Sequence, residues 1–239
     1  MTMTTGDAVR FKMGRAMFGS AGWQAFSDAG VGVWADERLA EDFLQCAVQS
    51  GIGTLRIGTE HAGQEAHLRK RLEEFVPAAT AIQFVHMAED GCDKLTADGF
   101  TGVAFNVSPE QERALAAVCA HSATPFVSAV VFGGGLLVRH VPAGQGHVAQ
   151  RPACDDLLKI LATAKTPDWA GTIVGRAAGF YVWHFAQAAL CFQKAVPQSV
   201  LLDLLAMRWC DDATAIEQVF AGDRDPEQIP WQTLWTQMK

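Results

Sequence analysis

Tyrosine is almost missing from this 239-residue chain, which has Tyr181 alone against seven tryptophans and fourteen phenylalanines. A catalytic phenol therefore has a single address. Long apolar runs are missing too: the stretches 127–138 and 200–207 are too short or too glycine-rich to cross a bilayer. The first dozen residues are polar and lack an apolar core followed by a small-residue cleavage site, so no secretory signal is expected. Six cysteines (Cys46, Cys92, Cys119, Cys154, Cys191 and Cys210) stand at wide, irregular intervals with no CxxC pair. That spacing excludes a zinc-finger type of site, no metal is expected, and free thiols in a reducing cytoplasm follow. Basic blocks are also lacking, and the formal charge of −7 argues against a surface that tracks nucleic-acid phosphates. No repeat or low-complexity linker divides the chain. With 49% apolar and 19% charged residues, a single globular domain over 1–239 is the expectation.

What recurs is strand followed by helix. Residues 17–21 read as a short strand ending in glycine turns. The segment 35–50 sets Leu39, Phe43, Leu44, Ala47 and Val48 on one helical face, with Asp36 as N-cap and Gly51 as the stop. Strands follow at 54–59 and 81–86, with a charged helix at 64–75 between them. Then come a strand at 102–107, a helix opened by Ser108-Pro109, and the apolar strand 126–132, which stops at a glycine triplet. A glycine- and proline-rich loop at 141–152 carries His147, with His140 just before it. Helices are expected at 154–164, 173–195 and 213–220, with an apolar strand or buried helical stretch at 199–207. Such alternation predicts a parallel sheet, and in a barrel the chemistry belongs at the carboxyl ends of the strands.

Those strand ends resemble the aldo/keto reductase superfamily, most like its aldose, L-fucose and L-galactose dehydrogenase branch. The stretch AVQSGIGTLRIGTEHA (47–62) is similar to the family's "A-x-x-x-G-I-x-x-F-D-T-A-x-x-Y-G". Phe84-Val85-His86 resembles its "L-x-x-H" strand end, residues 129–137 its "P-F-x-x-G-L-L", and residues 188–192 its "A-A-L-x-F" helix. The resemblance implies a TIM-barrel-like (β/α) fold, truncated because only six or seven strands can be counted. It also implies an NADP or NAD site, in which Arg208 meets the nucleotide phosphate and Gly133 and Gly134 allow close approach to the backbone.

Departures from the pattern shape the expected chemistry. The family's Asp, Tyr and Lys are lost: Arg56 stands at the Asp position, His61 at the Tyr position, and no lysine strand is present. Ala206 replaces the glycine of the nucleotide loop, and Asp211 and Asp212 oppose a phosphate there, so no cofactor is expected, NADP or NAD being the alternative. His86 matches the remaining family residue. Arg56 could hold an anion while His61 and His86 exchange protons, histidine being suited to this near neutrality. Other readings stay open: an Arg56–Glu60 ion pair, a buried structural His86, or a Cys92–His86 nucleophile pair. Phe180, Tyr181, Trp183, His184 and Phe185 share one helix, either as core packing or as a ligand wall.

The expected function is non-redox chemistry of the isomerase, dehydratase or cyclase type on a small carbonyl, acid or sugar-like molecule. One alternative is an NAD(P)-dependent aldose or aldehyde oxidoreductase. A further one is a ligand-binding or partner subunit without turnover. The exposed edges of an incomplete barrel must be covered by a helix, by the tail or by another subunit, which leaves a homodimer or a hetero-partner as the partner expectation.

Overall fold

The computed structural model describes residues 19, 23–73, 80–87, 91–96, 100–132, 134–143, 173–191, 199–204 and 208–210. Its elements run β1 (Gly30–Ala35), α1 (Glu37–Ser50), β2 (Thr54–Thr59), α2 (Ala62–Glu73), β3 (Ala81–His86), α3 (Gly91–Leu95) and β4 (Phe100–Phe105). They continue with α4 (Pro109–His121), β5 (Phe126–Phe132), β6 (Gly135–Val141), α5 (Ile173–Cys191), β7 (Ser199–Asp203) and β8 (Arg208–Cys210). The strands form one eight-stranded sheet in the order β3-β2-β1-β4-β5-β6-β7-β8. Pairing is parallel from β3 to β5 and antiparallel from β5 to β8.

This sheet is open, which corrects the expected TIM-barrel-like fold. Closure of a (β/α) barrel needs every strand to run parallel and the last to meet the first. Here the chain reverses after β5: Phe132 pairs antiparallel with Gly135, and β6 begins where a family loop had been expected.

The central strand was also unexpected. The strand expected at 17–21 falls almost wholly outside the described residues, and its Gly19 is helical. The first strand is instead β1, GVGVWA, buried at all six positions. Its glycines disguise it, because glycine weakens strand patterns. They are required by close packing: a Cβ on Gly30 would meet the Phe100 ring, and one on Gly32 would strike the carbonyl of Leu95.

Other elements follow their local signals. Asp36 caps α1 by accepting a hydrogen bond from the Arg38 N–H at 3.0 Å, and Gly51 ends it at φ 84°. Ser108 opens α4 with a capping box, its side chain accepting from Gln111 N–H while the Gln111 side chain accepts from Ser108 N–H at 2.7 Å. The stretch 199–207 resolves as strand β7 over its first five residues. Expected helices at 154–164 and 213–220 lie outside the described residues.

Two cores flank the sheet. On one face Val31, Val33, Leu55, Ile57, Val103, Phe105, Leu136, Val138 and Leu202 meet α1 and α5. There the Phe43 ring packs edge-on to Trp183 at 5.7 Å and to Phe105 at 6.4 Å. Gly179 lets α5 approach α1, since a Cβ there would lie 2.7 Å from the Phe43 backbone. On the other face Trp34, Leu95, Ala104, Leu115, Cys119 and Phe126 pack together with α3 and α4. Among the described residues no helix is long and apolar enough to cross a membrane.

Candidate functional site

In an open α/β sheet, ligands bind beyond the carboxyl ends of the strands, where the strand order reverses. Here that point lies between β1 and β4, because β1 is followed by β2 and β3 on one side and by β4 and β5 on the other. The residues that leave the strands around that point are Asp36 after β1, Glu60 and His61 after β2, and Asn106 to Ser108 after β4.

Each of these groups is engaged by the protein itself. Asp36 N–H extends the ladder to the Phe105 carbonyl at 2.9 Å, and its carboxylate occupies the first turn of α1. Glu37 adds a second carboxyl group to that turn. Across the crevice, Gln111 Nε2 donates to Glu60 Oε1 at 2.5 Å, tying the end of β2 to the start of α4. Gln64 accepts from the Glu60 N–H at 2.8 Å, and its own N–H donates to His61 Nδ1 at 3.0 Å. Asn106 is left-handed at φ 54°, and its Oδ1 accepts from Val131 N–H at 3.3 Å.

A nucleotide phosphate fits this lining poorly. Dinucleotide-binding sheets leave a glycine-rich turn between the first strand and its helix, so that bare N–H groups face the pyrophosphate. In this chain one residue, Asp36, separates β1 from α1, its carboxylate already accepts from the Arg38 N–H at 3.0 Å, and Glu37 adds a second acidic residue to the same first turn. Glu60 is the one feature in keeping with a nucleotide, since an acidic group after the second strand binds ribose hydroxyls in such sheets. That carboxyl is bonded to Gln111.

The chain shares its fold with PaaA and MccB. Among solved structures it is similar to PaaA, with a TM-score of 0.61 and 12% identity over 87% of this chain and 83% of that one. It is also similar to MccB of E. coli with ATP, with a TM-score of 0.61 and 10% identity over 84% of this chain and 70% of that one. The microcin C7 biosynthetic enzyme MccB in complex with N-formylated MccA gives a TM-score of 0.60 and 10% identity, over 84% and 71%. No family model and no curated protein matches. These likenesses replace the aldo/keto reductase resemblance, whose motifs are short and lie on a different topology. The non-redox carbonyl chemistry and aldose oxidoreduction argued from that resemblance lose their basis with it.

The expected site residues are spread across the sheet. His61 and His86 lie at the carboxyl ends of the neighbouring strands β2 and β3, where Thr59 and His86 are in register. Arg56 sits three residues short of that end, donating from Nε to Gln83 Oε1 at 3.1 Å and from Nη1 to the Lys94 carbonyl at 2.9 Å. It does not pair with Glu60. Arg208 lies on β8, at the far end of the strand order from His61 and His86. Gly134 is in the hairpin turn, its carbonyl accepting from Leu204 N–H at 2.9 Å, and Gly133 lies outside the described residues. Asp211 and Asp212 lie outside them as well.

Thiol chemistry gains no support from the surroundings. Burial, and then the Asp42 carboxylate, push Cys46 up to about 11, while burial pushes Cys119 up to about 12. Burial and the Asp93 carboxylate also raise Cys92, so the thiolate needed for a Cys92–His86 pair is disfavoured. Among the described residues no three His, Cys, Asp or Glu side chains cluster as a metal site. Sequence reasoning missed Gln64, Asn106 and Gln111. The readable signal for Gln111 was the capping-box spacing Ser108-Pro-Glu-Gln111.

Proposed function

We propose that this chain is a binding subunit that holds another polypeptide, built on a nucleotide-type sheet whose phosphate position is taken by its own carboxylate. The observation that carries the reading is Asp36, seated as the cap of α1 where an incoming phosphate would need bare N–H groups. Repulsion from Asp36 and Glu37, together with the Gln111–Glu60 bridge, disfavours a bound ATP, NAD or NADP. A protein stripped of that use keeps the sheet and its edges, and edges are what polypeptides recognise. The likeness to MccB, recorded both with ATP and with N-formylated MccA, leaves either kind of ligand compatible with the fold, and the Asp36 geometry favours the second. We assign it to the reducing cytoplasm, a reading supported by the free thiols Cys46, Cys92, Cys119 and Cys210.

The test has two arms. Calorimetric titration with ATP, NAD and NADP is expected to show no saturable binding up to millimolar concentration; micromolar binding would overturn the reading. Native mass spectrometry of the protein isolated from its own cells is expected to show a stoichiometric complex with a second polypeptide. A lone monomer there would overturn it equally.

A further inference from the structure

The helices that start at the crevice are capped by different groups: a carboxylate, Asp36, on α1, a hydroxyl, Ser108, on α4, and an imidazole, His61, on α2. His61 stands just before Ala62, the first residue of α2, and its carbonyl accepts from the Glu65 N–H at 3.3 Å, as the carbonyl of an N-cap does. The Gln64 N–H is shared between that carbonyl, at 3.1 Å, and the ring nitrogen Nδ1, at 3.0 Å. An Nδ1 that accepts belongs to the neutral ring, because both nitrogens of an imidazolium are donors. Serine, threonine and asparagine caps keep their acceptor at every ordinary pH. A histidine cap loses it in the range where this side chain changes charge.

The ring is the first member of a chain that crosses the crevice. Gln64, whose N–H it holds, receives the Glu60 N–H at Oε1, at 2.8 Å. The Glu60 carboxylate accepts from Gln111 Nε2, and Gln111 Oε1 accepts from the Ser108 N–H at 2.7 Å. His61, Gln64, Glu60, Gln111 and Ser108 therefore stand in series from the start of α2 to the start of α4. Gln64 is buried, so water does not simply replace a partner that it loses.

An imidazolium at this place would undo the chain at two points. Its Nδ1–H would oppose the Gln64 N–H, donor against donor, and its charge would lie at the positive end of the α2 dipole. The carboxylate beside it, Glu60, is held by Gln111 and would have to leave that partner to answer the new charge. Of the other charged groups around this turn, Glu65 is paired with Arg69 at 2.8 Å, and Glu112 of α4 with Arg139. Glu110 and Arg113 of α4 are exposed, as are Glu37 and Arg38 of α1, while Asp36 caps its own helix. Glu41 of α1 is paired with Arg71 and lies 3.7 Å from His67, further along α2. His86 is the second histidine on this rim, at the end of β3.

We propose that His61 is a proton-operated latch on the crevice. With the ring neutral the chain from α2 to α4 is closed. Uptake of a proton at Nδ1 opens it, releasing Gln64, then Glu60, then Gln111. The latch is a property of the crevice itself and stands whether or not a polypeptide is the partner.

An NMR titration of the isotope-labelled full chain from about pH 8 to about pH 5 tests it. The backbone amides of Gln64, Glu60 and Ser108 are expected to shift with one midpoint, shared with the His61 ring protons. Amide exchange at Gln64, corrected for its intrinsic pH dependence, should quicken about fivefold on the acid side, the size of a lost helix cap. His61→Asn keeps a cap acceptor that takes up no proton, and it should abolish the shared transition while leaving the Gln64 amide protected throughout. Persistence of the transition in His61→Asn would overturn the latch. In the wild-type chain, which needs no variant to fold, a midpoint that follows the His86 ring instead of His61 would do the same. A Ser108 amide that stays silent while Gln64 moves would also overturn it, since the chain would then end before α4.

Discussion

The two halves of the sheet are built by different means. From β3 to β5 the strands run parallel, so every return needs a crossover, and every crossover leaves a loop at the carboxyl end. Those loops carry Asp36, Glu60, His61 and Asn106. From β5 to β8 the strands are antiparallel, with Phe132 of β5 paired to Gly135 of β6 at the first reversal. This half gathers no comparable set of polar loop residues among the described ones, but it extends the apolar face with Leu136, Val138, Val200 and Leu202. The parallel half sets out the crevice and the antiparallel half supplies breadth of core. α5 joins them, lying over β4, β5 and β6 and against α1.

If the two halves share one core, the largest effect should come from the ring at their junction. Phe43→Ala is expected to cost about 3–5 kcal/mol in urea unfolding followed by tryptophan fluorescence. Two separate transitions in that experiment would show that the halves unfold independently. Next comes the tie between Arg139 of β6 and Glu112 of α4, an ion pair with 16% and 4% side-chain exposure. Arg139→Met alone strands a buried carboxylate, with an expected loss of about 2–4 kcal/mol. Arg139→Met with Glu112→Leu should recover part of that loss. A double mutant no better than the single would mean that the pair carries no coupling between the halves.

Within the parallel half, Gly32→Ala is expected to cost about 1–3 kcal/mol, because its Cβ would collide with a carbonyl that cannot move freely. Asp36→Ala should cost about 1 kcal/mol through loss of the α1 cap, read as a lower midpoint in the same denaturation.

The smallest effect should be a pH dependence from His140 in the antiparallel half. Its imidazole is buried, neither ring nitrogen has a hydrogen-bond partner among the described residues, and burial lowers its pKa from 6.5. A lowered folded-state value means that the unfolded chain takes up the proton first. Stability from this group is full above 6.5 and is lost as pH falls from there towards the folded value. His140→Phe should flatten that acid-side slope of the melting temperature, and an unchanged slope would remove His140 as its source.

Much of the parallel half was legible from the sequence. α1, β2, β3, α4 and β5 follow apolar periodicity, and their caps, Asp36, Gly51 and Ser108, are local chemistry. β1 was hidden because Gly30 and Gly32 answer to Phe100 and to Leu95, residues about seventy positions away in sequence for the first pair and more than sixty for the second. The reversal after β5 is hidden for another reason: the glycine triplet reads as a place for close ligand approach, whereas the strands on either side of it pair antiparallel. The crevice was least legible, since Gln111 and Glu60 meet only through the fold. His61 and His86 were placed at strand ends correctly as positions, but the family logic that gave them roles belonged to another topology.

Gln111 holds two ends at once. Its oxygen secures the start of α4 through Ser108, while its nitrogen grips Glu60. Any molecule competing for Glu60 must therefore also contend with the integrity of a helix terminus, so occupancy of the crevice and fraying of α4 are thermodynamically linked. Hydrogen exchange in the first turn of α4 would report that occupancy from a distance, without a label on the ligand.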